Sequence, residues 1–266
     1  MICAEALNKS VCDGEPGSPL VLKGKLIGLL SWGWLWQPGF LFVIAACVGN
    51  IYAEDIQGGV ATTIAAHPYI VSVQNSDGSR ICGGALINST TVVTTASCLD
   101  TYDVSQLLVG LNNGAKTAKI AAYGLDPSYD FTTMESDVAV VKLAESVDVD
   151  AIELASSAPS SGASGVITGW AANDSLVDIN VSVLSAEVCG SGDYKYSEDE
   201  ILDSMLCGLA TNSQACGGLN GNPVVVNNQL VGLVSWGYGC GNKGNPSVLA
   251  NIPELRSWIV QEAESL

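Results

Sequence analysis

Residues 82–98 read CGGALINSTTVVTTASC, and residues 137–143 read DVAVVKL. The runs TVVTT (91–95) and VAVVKL (138–143) alternate in the manner of half-buried β-strands. Working outward, similar short apolar runs recur along the chain, broken by Gly, Asn, Ser and Pro, which predicts many strands joined by tight turns. The closing segment, PELRSWIVQEAESL at 253–266, differs. Its Leu255, Trp258, Ile259 and Ala263 fall at three-to-four spacing behind Pro253, which predicts an amphipathic terminal helix. The fold class is all-β with one C-terminal helix.

The 266 residues suffice for one large domain or two small ones with a proper core. Apolar residues make up 48% and charged residues 14%, a globular balance. A formal charge of −17 argues against nucleic-acid binding, which needs a cationic surface, and against electrostatic adhesion to an anionic membrane. Nine cysteines, together with the sequons at Asn8, Asn88, Asn173 and Asn180, point to an oxidising, extracellular environment. His67 is the only histidine, so the sequence offers no zinc site built on several imidazoles.

Residues 1–34 match residues 205–238 without a gap, at an offset of 204, and 15 of those 34 positions are identical. The shared positions include Cys3/Cys207, Cys12/Cys216, Pro19/Pro223 and the Ser-Trp-Gly at 31–33 and 235–237. The chain therefore reads as the tail of one domain (1–36), an intervening segment (37–53) and a complete second copy (54–266). The intervening stretch carries FLFVIAACV at 40–48 and a small residue, Ala53, as in a signal peptide. No methionine and no basic segment stand directly before it, so the reading is two neighbouring genes joined in one chain. The rival reading is an uncleaved anchor over residues 26–48, which Pro38 and nearby glycines weaken.

From Ile56 onward the landmarks are IQGG (56–59), HPYIVSVQ (67–74), the stretch at 82–98, DVAVVKL, ITGW (167–170), CGGLNGNP (216–223) and SWGYGC (235–240). In order and spacing this resembles the trypsin-like (chymotrypsin-fold, S1) serine proteases across 54–266, and insect-type digestive trypsins in particular. The resemblance implies two packed six-stranded antiparallel β-barrels with the site in the cleft between them. It also implies the bridges Cys82–Cys98, Cys189–Cys207 and Cys216–Cys240. Cys3, Cys12 and Cys47 are left over, as a severed domain would leave them.

Hydrolysis by serine needs a base for the hydroxyl proton, an orienting carboxylate, and donors for the oxyanion. The resemblance places the family's histidine just before the second cysteine of the 82–98 stretch, where this chain has Ser97. It places the nucleophile at Asn220 and the orienting acid at Asp137. A hydroxyl is no general base at neutral pH, and a carboxamide is no usable nucleophile. The oxyanion-hole positions are Gly218 and Asn220; the specificity-pocket positions are Gln214, Gly237 and Ser247. Gln214 replaces the acid that would attract a basic side chain, and Ser247 would narrow the slot. Leu219 stands where the activating amine would find its carboxylate, and Glu54-Asp55 precede Ile56 where a cuttable Arg or Lys would stand. The N-terminal copy has Glu15 and Pro16 at the matching positions. His67 lies in a packing segment and reads as a satisfied polar residue.

The sequence thus points to a secreted, inactive serine protease homologue that is not an enzyme and needs no cofactor or metal. Its expected partners are proteases, protease inhibitors or protein substrates, with no nucleic acid, and no membrane unless 26–48 is an anchor. The sequons at Asn88, Asn173 and Asn180 are expected to carry glycans. The alternatives are an endopeptidase with residual or unorthodox activity, and the product of a decaying or fused gene.

Overall fold

The computed structural model describes residues 58–171, 173–211, 220–238 and 245–266, and the backbone of two strands near the N-terminus. By internal contacts the chain divides into two units, Met1–Tyr52 and Ala53–Leu266. In the first unit, β1 (Pro19–Leu22) and β2 (Lys25–Leu29) form an antiparallel hairpin. Segment 37–53, Cys3, Cys12, Cys47, Asn8 and the remainder of the 26–48 stretch lie outside the described residues.

The second unit opens with β3 (Val60–Ala61). It continues through β4 (Ile70–Asn75), β5 (Arg80–Asn88), β6 (Thr91–Thr94), β7 (Leu107–Leu111), β8 (Lys116–Leu125) and β9 (Ala139–Leu143). These last six close into a barrel in the order β4-β5-β6-β9-β8-β7. After β10 (Glu153–Leu154) come β11 (Ala163–Trp170), β12 (Leu176–Leu184), β13 (Met205–Ala210), β14 (Pro223–Val226), β15 (Gln229–Trp236) and β16 (Ser247–Asn251). They run β15-β14-β11-β12-β13-β16, and the β15–β16 pairing closes the second six-stranded barrel. A short helix α1 (Ala186–Cys189) follows β12, and α2 (Ile252–Ser265) ends the chain.

Alternation along β12 shows how the sequence fills a barrel. Val177, Ile179, Val181 and Val183 point inward, while Asp178, Asn180 and Ser182 face outward. β6 and β9 depart from the half-buried expectation because they are covered on both faces. Val92, Ala139 and Val141 fill the first barrel, whereas Val93, Val138 and Val140 join a second cluster with Trp170 and Leu233 of the other barrel. Leu255 and Ile259 of α2 are buried in that same cluster, with Trp258 and Ala263 packed against it, as their spacing predicts.

The β14–β15 turn is Asn227-Asn228, both at positive φ (49° and 62°), the left-handed conformation that two-residue hairpin loops require. Its register pairs Pro223 with Leu233, Val224 with Gly232, Val225 with Leu230 and Val226 with Gln229, with an irregularity after Val224. The β1–β2 hairpin pairs Pro19 with Leu29, Leu20 with Gly28, Val21 with Leu26 and Leu22 with Lys25, with its irregularity after Leu20. The two registers coincide at every position under the offset of 204.

Disulfides Cys82–Cys98 and Cys189–Cys207 are both formed; Cys216 and Cys240 lie outside the described residues. The Cys82–Cys98 bridge spans 16 positions. Replacing both cysteines by alanine should therefore cost about 3 kcal/mol of stability. Denaturant unfolding of the variant against the parent protein checks this, and a loss under about 1 kcal/mol would refute it.

Candidate functional site

Asp137 stands two residues before β9 and is 1% exposed, at the junction of the two barrels. From the first barrel, the 3-10 turn Ala96–Cys98, tied to β5 by the Cys82–Cys98 bridge, presents Ser97 to it. The Ser97 N–H donates to Asp137 Oδ1 at 2.7 Å and its hydroxyl to Oδ2 at 2.9 Å. From the second barrel, the Ser235 hydroxyl on β15 donates to Oδ2 at 2.5 Å. Burial raises the Asp137 pKa above the ordinary carboxylate range, and the bonds from Ser235 and Ser97 oppose that rise.

Asn220 completes the cluster: its Nδ2 donates to Ser97 Oγ at 3.4 Å. Donation thus runs one way, from carboxamide to alcohol to carboxylate. The Asn220 backbone is locked between the barrels, because its carbonyl accepts from Gly83 N at 2.8 Å on β5. Gly221 N then donates to Val234 O at 2.7 Å, and Val234 N returns to Asn222 O at 2.9 Å. Gly221 sits at φ +80°, and a Cβ there would run into the Gly83 carbonyl and Thr94 Oγ1, so this position requires glycine.

The structure therefore brings Ser97, Asp137 and Asn220 together, as their sequence spacing alone could not. Gly237 and Ser247 also meet: a Cβ on Gly237 would lie 3.7 Å from Ser247 Cα and 3.4 Å from the Tyr196 hydroxyl. Gln214, Gly218 and Leu219, like Ile56, fall outside the described residues. Beside Gly237, Trp236, Tyr196 and Tyr238 form an aromatic trio with ring centroids 5.3 to 5.6 Å apart. The Tyr238 hydroxyl donates to Glu200.

Two contributors escaped the sequence reading. Ser235 was visible only as part of the repeated Ser-Trp-Gly, which signals a shared motif and not a bond to a carboxylate 98 positions away. Burial raises the Tyr129 phenol pKa, and the nearby carboxyls of Asp137 and Asp100 add to the rise.

His67 is elsewhere. Its ring nitrogens meet Asp178 Oδ2 at 2.9 Å and the Tyr69 hydroxyl at 3.0 Å, so both are satisfied on the outer face of β12. Burial pushes the Asp178 carboxyl up, but bonds from His67, Thr168 and Thr62 prevail and hold it below its ordinary range. Burial, reinforced by the Asp178 charge, pushes the Tyr69 phenol up to about 12. The described residues hold no group of three or more metal-ligating side chains, and no helix among them is long and apolar enough to cross a membrane. Asn88, Asn173 and Asn180 are all exposed.

Two barrels joined around a buried carboxylate is a recognisable arrangement, and residues 56–259 match the family model described as Trypsin. The chain belongs to the trypsin family. It is 38% identical over 249 residues to "Trypsin" of Sarcophaga bullata, covering 85% of this chain and 97% of that protein. It is 38% identical over 253 residues to "Trypsin theta" of Drosophila melanogaster, covering 85% and 96%. "Trypsin theta" of Drosophila erecta is 40% identical over 229 residues, covering 79% and 87%. In this trypsin-family domain the Asp137 cluster is held by neutral donors among the described residues, with no cation bonded to it.

A carboxyl whose folded-state pKa is raised favours folding while protonated. That contribution is complete below the unfolded pKa and is lost as pH rises through the raised value. Asp137→Asn removes the titration, and its amide can face the two serine oxygens. The stability of Asp137→Asn relative to the parent should therefore rise between acid and neutral pH. Paired unfolding curves measure this; a difference that falls as pH rises would contradict the assignment.

Proposed function

We propose that this trypsin-family domain is a secreted, catalytically inactive homologue that acts by binding proteins. The observation that carries the reading is the donor chain from Asn220 through Ser97 to Asp137. Serine proteolysis needs a group between carboxylate and nucleophile that takes a proton and later returns it. Here that place holds the Ser97 alcohol, which is too weak a base, and the attacking position holds the Asn220 carboxamide. Losing the machinery of such a triad costs about a millionfold in turnover.

Residues around the site point the same way. Leu219 and Glu54-Asp55 leave the activation switch without its carboxylate and without its basic cut site. Gln214 and Ser247, with Gly237, describe a neutral, narrowed pocket instead of one that draws in a cation. With Gly218 and the Asn220 amide as its oxyanion-hole donors, the cleft binds without cleaving. Its partners are active proteases, their inhibitors, or protein substrates shielded from cleavage. Secretion is supported by the two formed disulfides and the sequons at Asn88, Asn173 and Asn180.

A second reading concerns the first unit. We infer that residues 1–36 are the tail of another trypsin-like domain and 37–53 a signal peptide, joined to 54–266 by the fusion of adjacent genes. The coincident registers of the β1–β2 and β14–β15 hairpins support this. A single continuous transcript spanning both parts would contradict the fusion.

The test of inactivity is a fluorophosphonate probe together with a panel of fluorogenic peptides, applied to the full chain after trypsin treatment and repurification. No label on Asn220 and no turnover above buffer are expected. Turnover that survives repurification and that Asp137→Ala abolishes would return the chain to the activity its relatives' names describe.

A further inference from the structure

Where strands of the second barrel meet the segments at 66–69 and 151–153, a groove of about 480 Å³ that does not include Asp137 has the dimensions of a small-ligand site. Its lining includes Tyr69, Glu153, Val166, Asn180, Val225 and Asn227. Three of these form one cross-strand row: Asn180 of β12 pairs with Val166 of β11, which pairs with Val225 of β14. The row lies on the outward face, where strands of a closed barrel ordinarily carry polar side chains. Val166 and Val225 are instead half-buried apolar residues, and Asn180 at the end of the row is exposed. Glu153 and Asn227, both exposed, line the same groove and bring a carboxylate and a carboxamide to its lining.

Asn180-Val181-Ser182 is a sequon, so the residue at the end of the row is also a modification acceptor. We propose that the groove seats the inner sugars of an N-glycan carried by Asn180, an inference that rests on the reading of this protein as secreted. Attachment forms a bond from Asn180 Nδ2 to the first sugar's C1. The C1–oxygen bond to a lipid-diphosphate oligosaccharide donor breaks, the diphosphate departs with the electron pair, and the amide loses one proton to solvent. The occupant is tethered at the groove wall itself, so no separate ligand has to be recruited. An N-acetylhexosamine matches the lining: its apolar face covers Val166 and Val225, and its hydroxyl and acetamide groups meet Glu153 and Asn227. The outward face remains compatible with attachment before folding, because the inward neighbours Ile179 and Val181 are unaffected.

The experiment is glycopeptide mapping of the full chain secreted from a glycosylating host, followed by amide hydrogen exchange. Wild-type protein is compared with Ser182→Ala, which keeps Asn180 but destroys the sequon, and with Asn180→Gln. Thr90→Ala and Ser175→Ala, which remove the sequons at Asn88 and Asn173, are the controls. The expected result is a glycan on Asn180 and several-fold slower exchange at 225–228 in wild type than in Ser182→Ala and Asn180→Gln, unchanged in both controls. A glycan on Asn88 or Asn173 but not on Asn180 overturns this proposal alone. A glycan on Asn180 with exchange equal to that of the variants overturns the seat in the groove. Absence of sugar from all three overturns the proposal and removes the sequons' support for secretion, while the probe-labelling test of inactivity stands apart.

Discussion

Everything at the centre of this domain is arranged around one buried carboxyl group. Asp137 draws donors from the first barrel, the Ser97 N–H and hydroxyl and the Ala96 N–H, and from the second the Ser235 hydroxyl. Burying a carboxylate is costly unless its oxygens are satisfied, so these bonds tie the two barrels to each other as well as to the acid. The Gly83 and Val234 bonds to residues 220–222 make a second tie across the same seam. The junction is thus fixed by neutral donors, and its geometry does not depend on a charged imidazole.

The barrels were legible because β-branched residues repeat along strands such as β12, and because the cysteines and glycines of the motifs fix order and spacing. The terminal helix was legible for the same reason, with Leu255 and Ile259 buried on the expected stripe. What periodicity misjudged was the depth of β6 and β9. A strand that lines a barrel on one side and the inter-barrel cluster on the other shows apolar residues on both faces. A local alternation reads that as half-buried, since nothing in the strand itself announces the second cover.

The site was legible as a set of positions but not as a set of bonds. Ser97, Asp137 and Asn220 stood out because neighbouring motif residues mark their places. Ser235 and Tyr129 did not, because their roles come from three-dimensional closeness to Asp137 across 98 and 8 positions. The His67–Asp178 pair shows the converse case. A lone histidine in a sequence invites a chemical role, yet its partners here are a tyrosine two residues along the chain and a strand-borne carboxylate 111 positions away. Only the second was hidden by distance in sequence.

The two hairpins carry a lesson about where pairing information resides. Between residues 19–29 and 223–233 only five of eleven positions are identical, and the dipeptide between the paired residues changes from Lys23-Gly24 to Asn227-Asn228. The strands nevertheless meet partner for partner, down to the same kink. The instruction for alignment must therefore be written in what both copies share, the leading proline, the valine after the kink, the glycine opposite it and the flanking leucines. The connecting dipeptide differs in both residues, so the register does not hang on its identity. A designer could trade that dipeptide freely, within left-handed turn chemistry, without slipping the ladder it joins.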